Sequence, residues 1–112
     1  MMTIKELSEK LNLKLSGGAE GLTNEITGGY TSDLLSDVIG HAEQGNVWIT
    51  LQTHKNVMAI ASLKELACVI IVNDLEPSED MISQSNEENI PVFVTSESTF
   101  EITGKIYNLI NK

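Results

Sequence analysis

Cysteine occurs once in this chain, at Cys68, so no internal disulfide can form and nothing points to an oxidising compartment. Positive charge is scarce as well. Lys and Arg total 7 against 16 Asp and Glu, a formal net charge of −9. A field of that sign repels phosphate backbones and anionic bilayers, so no nucleic acid and no membrane is expected among the partners. Its plainest consequence is solubility. Long apolar runs are missing too. The longest, Leu66 to Val72, falls far short of the ~20 residues that a membrane span needs. The N-terminal stretch MMTIKELSEKLN is charged from its fifth residue and lacks the apolar run of a signal peptide. These absences make the cytoplasm the expected location.

The motifs of catalysis are absent in the same way. A phosphate-binding loop requires Gly, four residues and then Gly-Lys-Ser/Thr. Here Gly104-Lys105 is followed by Ile106, and Thr99 stands where the first glycine belongs. There is no Gly-x-Gly-x-x-Gly fingerprint and no Gly-x-Ser-x-Gly elbow. His41 and His54 have no metal-type spacing, and one cysteine cannot build a zinc site. Cys68 opens an apolar run and reads as a packed, inert thiol. His54, at a helix start, reads as a surface residue rather than a base. Asp33 and Asp37 lie one helical turn apart, but without a third ligand they read as solvated or capping residues. No metal and no cofactor is therefore expected, and the chain is not expected to be an enzyme. KELSEKLNL cannot open a helix-turn-helix either, because KLSGGAEG follows where the recognition helix would be.

What is present is a regular alternation. The 112 residues, 41% of them hydrophobic, suffice for one domain with one core, spanning residues 1–112. Thr3 and Glu6 have the spacing of a capping box, and Ile4, Leu7 and Leu11 line one side of a helix over roughly 4–11. Leu13 and Leu15 alternate with Lys14 and Ser16, which predicts a short strand, and residues 16–21 form a turn-rich break. Another extended segment is expected within Asn24 to Tyr30, around Ile26. NVWIT (46–50), ACVIIV (67–72) and PVFVT (91–95) are compact β-branched runs. Val57, Ile60, Ala61 and Leu63 suit a helix face between the first two. Pro77 and Ser78 open a helix between the second and third. Ser98 and Glu101 form a second capping box, and Ile102, Ile106, Leu109 and Ile110 continue that helix. Continuously apolar strands belong in parallel sheets covered on both faces. The expected fold is α/β, a three-layer α/β/α domain with a mostly parallel mixed sheet of about five strands. Ile70, Ile71, Val92 and Val94 should lie in its core, and Tyr30 and Trp48 read as core or interface aromatics.

Ligands of open α/β sheets gather at the carboxyl ends of strands. The residues there are Gln52, Thr53 and His54 after the first run, Asn73 and Asp74 after the second, and Thr95 and Ser96 after the third. Thr27, Gly28, Gly29, Tyr30 and Asp33 complete the ligand-binding candidates. In this reading Gly28-Gly29 is a loop that permits positive φ or close approach, and Tyr30 to Asp33 begin a short helical segment. Leu34, Leu35, Val38 and Ile39 put four large apolar residues into six positions, more than one helix face needs. Leu34, Leu35 and Ile39 are accordingly interface candidates for a homodimer.

GLTNEITGGYTSDLLSDVIGHAEQGNVWITLQTH (21–54) resembles the DRTGG domain family, with Thr27, Gly28 and Gly29 matching within Glu25-Ile26-Thr27-Gly28-Gly29. TIKELSEKLNLKLSGGAEGLTNEIT and LEPSEDMISQSNEENIPVFVTSEST are similar to the N-terminal domain of bacterial HPr kinase/phosphorylase. That resemblance implies an α/β/α fold related to Mur ligase N-terminal domains. It further implies a regulatory or self-associating module that acts through a partner protein, without kinase activity, since the kinase chemistry sits in a separate P-loop domain. The alternative is a sensor of a nucleotide or other phosphorylated metabolite at the strand ends.

Overall fold

In the computed structural model, which describes residues 1–111, helices and strands alternate along the chain around a five-stranded sheet. The order of elements is α1 (Ile4–Leu11), β1 (Lys14–Gly17), a 3-10 turn at Ala19–Gly21, β2 (Gly28–Thr31), α2 (Leu35–His41), β3 (Asn46–Thr50), α3 (Asn56–Leu63), β4 (Cys68–Ile71), α4 (Glu79–Glu88), β5 (Val92–Val94) and α5 (Thr99–Ile110). The sheet order is β1-β5-β4-β3-β2. Strands β2 to β5 run parallel, with Tyr30 beside Trp48, Ile49 beside Ile70 and Ile71 beside Val94. Strand β1 is antiparallel on the far edge, Lys14 opposite Val94. The carboxyl ends of the parallel strands and the start of β1 therefore share one edge of the sheet.

The local signals act as elementary chemistry requires. Thr3 Oγ1 accepts from Glu6 N while Thr3 N donates to the Glu6 carboxylate, a closed capping box. Ser78 and Ser98 cap α4 and α5 by accepting from Met81 N and Glu101 N. The Ser98 cap makes only this forward bond.

The central strands are buried on both sides because helices cover both faces. Val47, Ile49, Cys68, Ile70 and Phe93 pack with Ile4, Leu7, Ile102 and Ile106 beneath α1 and α5. Trp48, Val69, Ile71, Val92 and Val94 face the other way, onto Val38, Met58 and Met81 of α2, α3 and α4. This is the expected three-layer α/β/α domain, and Ile70, Ile71, Val92 and Val94 are all in its core. Cys68 is fully enclosed, and burial pushes its thiol pKa far up, which leaves it unreactive.

Three expectations fail locally. Gly28 and Gly29 are not a loop: they open β2 and pair with Asn46 and Val47, and neither has positive φ. Tyr30 and Thr31 continue that strand, and the helix begins only at Leu35. Leu63 is 68% exposed at the end of α3 rather than on its buried face, which Val57, Met58, Ile60 and Ala61 supply. No helix among the described residues is long and apolar enough to cross a membrane.

Candidate functional site

The carboxyl edge of the sheet is built around Asp33, which follows β2. Its Oδ1 accepts from Thr50 Oγ1 at 3.0 Å and from Leu51 N at 2.8 Å. Its carbonyl accepts from Gln52 Nε2 at 2.9 Å, and Thr50 Oγ1 accepts in turn from Gln52 N. The loop after β2 is thereby tied to the end of β3. Trp48 Nε1 adds a bond to the Ser32 carbonyl at 2.8 Å, which brings a fully buried ring to the same turn. Thr53 fixes the next neighbour, its carbonyl accepting from Ser78 N at the head of α4. His54 is exposed, and its carbonyl accepts from Val57 N.

A second polar group surrounds the end of β5. Thr95 is buried, and its Oγ1 accepts from Glu97 N. After β4 the backbone turns through two successive left-handed residues, Asn73 and Asp74, at φ 59° and 57°. Asn and Asp tolerate this region better than other side chains. Their N–H groups donate to the carbonyls of Glu97 and Thr95. Beside them lies a shallow depression of about 400 Å³, with Asn12, Lys14, Asp74, Glu76, Thr95 and Ser96 on its walls.

Asp33, Gln52, Thr53, His54, Thr95 and Ser96 thus share the carboxyl edge. Thr27 and Gly28 do not: they lie at the opposite, amino edge. There Thr27 Oγ1 donates to the Gln44 carbonyl at 2.7 Å and accepts from Asn46 Nδ2. Thr27 also lines a separate open cleft of about 720 Å³ with Asn24, Glu25, Glu65, Glu88 and Asn89. A Cβ added at Gly29 would make only ordinary contacts, with the Val47 carbonyl and Ile110. Tyr30 points its hydroxyl at α2, donating to Asp37 Oδ2 at 2.9 Å. That bond raises the Tyr30 pKa. The Ser32 hydroxyl, the Tyr30 hydroxyl and His41 hold the Asp37 carboxyl below its usual range. Asp33 and Asp37 therefore do not share a helix face, since only Asp37 is in α2.

The sequence reading overlooked Asn46 and Ser32. Asn46 is buried and knots three segments, its side chain meeting Glu43 N and Thr27 Oγ1. Ser32 Oγ accepts from Leu34 N. An asparagine opening a β-branched run and a serine ahead of a helix are the signals that could have found them.

Chemically the carboxyl edge is occupied with its own structure. Among the described residues, no buried side-chain polar atom lacks a hydrogen-bond partner, and no group of His, Cys, Asp and Glu is arranged to hold a metal ion. Of the interface candidates, Leu34 is 64% and Ile39 43% exposed, while Leu35 is half-buried against the core.

A profile described as the DRTGG domain matches residues 7–109. Among solved structures, the chain is similar to the CBS and DRTGG domains of the regulatory region of a Clostridium perfringens pyrophosphatase, complexed with its activator, diadenosine tetraphosphate. The TM-score is 0.71 at 13% identity, over 94% of this chain and 45% of that one. The likeness is one of fold, and the chain spans less than half the length of that neighbour. No curated protein matches the sequence.

Proposed function

The chain belongs to the DRTGG domain family, and from that premise we propose that it is a non-enzymatic regulatory module that self-associates and acts through a partner protein. The observation that carries this reading is the carboxyl edge. Asp33, Thr50, Gln52 and Thr95 spend their hydrogen bonds on the protein itself. They support loops rather than presenting a base, a nucleophile or a vacant ligand set. The outward features are apolar instead: Leu34, Ile39, Phe100 and Tyr107 are all exposed. The likeness to the N-terminal domain of HPr kinase/phosphorylase belongs to the same reading, as a relation of module to module without transfer of the kinase activity. The test is turnover. Purified protein should neither hydrolyse ATP nor phosphorylate HPr, and activity that tracks the protein peak through purification would contradict the proposal.

A second reading has one observation in its favour: the structural neighbour is a regulatory region complexed with a nucleotide activator. On that reading this chain senses a nucleotide or similar phosphorylated metabolite at the carboxyl edge, where Lys14, Thr95 and Ser96 border the depression. A ligand that binds only the folded state raises the melting temperature by mass action. Diadenosine tetraphosphate and simple nucleotides should then stabilise the protein, and a Ser96→Glu variant should lose that gain. A flat response across the series excludes it.

A further inference from the structure

We infer that self-association, on the reading above, runs through the outer face of α5, packed antiparallel against α5 of a second copy about a two-fold axis near Thr103 and Gly104. This helix carries the two most exposed aromatic side chains of the domain, Phe100 at 84% and Tyr107 at 64%. They flank Gly104 on one helix face, at i, i+4 and i+7, and border a groove of about 790 Å³ that runs to Thr31 at the free edge of β2. Thr31 Oγ1 and Thr103 Oγ1 lie 3.0 Å apart and close that wall.

The face is complementary to itself. Phe100 and Tyr107 are centred between residues 103 and 104, so an antiparallel copy places each ring against the other kind of ring. Glu101 and Lys105 are centred on residue 103 and lie on one flank, so each Glu101 meets Lys105 of the second copy. Glu101 has no ion-pair partner among the described residues, and Lys105 pairs with Glu97, leaving further donor directions on its ammonium. On a chain of net charge −9, one acid and one base balance within α5, so a second copy meets less repulsion there than the chain's overall charge would give. Gly104 fits the same picture. It has ordinary helical φ, a Cβ there would meet nothing within 4 Å, and glycine weakens a helix interior. Nothing within the domain calls for glycine, whereas two helices crossing at this point approach most closely without a side chain between them. Gly40 is also open, but it sits in the last turn of the short α2, and the Asp37–His41 pair beside it is already closed within that helix.

The experiment combines cross-linking with light scattering at micromolar concentration. Under mild oxidation, Gly104→Cys should give a disulfide-linked dimer, with the buried Cys68 silent. Phe100→Glu should raise the dimer dissociation constant about tenfold or more with an unchanged far-UV spectrum, as for a central aromatic anchor. Glu101→Lys and Lys105→Glu should each weaken the dimer, and the double reversal should restore it. A monomeric parent would overturn both this inference and the self-association reading. A dimeric parent that neither cross-links through Gly104→Cys nor responds to Phe100→Glu would overturn the α5 interface alone.

Discussion

At the scale of single residues, glycine shows which positions the fold depends on. Gly18 sits at φ 77°, and a Cβ there would run into the carbonyl of Ile90 and into Pro91. Its N–H donates to Asn86 Oδ1 at 2.8 Å. Gly29 lies in β2 with φ outside the left-handed region and only ordinary contacts around an added Cβ. Gly18→Ala should therefore cost about 1–3 kcal/mol through backbone strain and the clash. Gly29→Ala should be close to neutral, and urea titrations of the two variants check the contrast. From sequence these glycines look alike, both inside Gly-Gly pairs. What separates them is the chain that passes behind, which no local pattern reports. Asp37 is a second residue whose role needed the structure. Its depressed pKa means that its contribution to stability is complete above the unfolded value, about 4, and is lost as pH falls through the lower folded value. Asp37→Asn should lower stability at neutral pH, where that contribution is complete, and flatten the acid limb below about pH 4, where variant and parent converge. An unchanged acid limb would mean that the Ser32, Tyr30 and His41 contacts do not persist in solution.

At the scale of elements, legibility followed burial. β3 was readable to its last residue, because an apolar strand covered on both faces leaves an unbroken run of Val, Trp and Ile. β4 and β5 lost only a residue at each end of their runs. The caps of α1, α4 and α5 were equally visible, since a Thr or Ser three residues before an acceptor or donor is a local device. β2 was not visible. It is an edge strand of four residues, half of them glycine, and it is held by β3 and α5 rather than by its own side chains. The N-terminal boundary of α2 slipped for the same reason: Leu34, at its cap position, offers no side-chain hydrogen bond. The strand assignment has a direct check. Ile71 is fully buried between β3 and β5, so Ile71→Ala should cost about 2–5 kcal/mol in denaturant melts. A near-neutral result would contradict the packing described for the sheet.

At the scale of the whole molecule, the parallel topology places strand ends from distant parts of the chain on one edge. That much of the candidate site was legible, because Thr50 and Thr95 end β-branched runs and Gln52, Thr53 and Ser96 follow them. That Thr27 and Gly28 lie at the other edge was not legible, because it depends on the direction of β2. Net charge governs how copies of the domain meet. Each carries −9, so association must overcome long-range repulsion that salt screens. Dimerisation should accordingly strengthen from low to physiological ionic strength, the opposite of an interface held mainly by ion pairs. The central claim, a regulatory module that works as a pair, is tested most directly by light scattering across a micromolar dilution series at physiological salt. The account predicts a mass approaching twice the 12.2 kDa of the single chain, falling towards one chain on dilution. A mass of one chain throughout would contradict it.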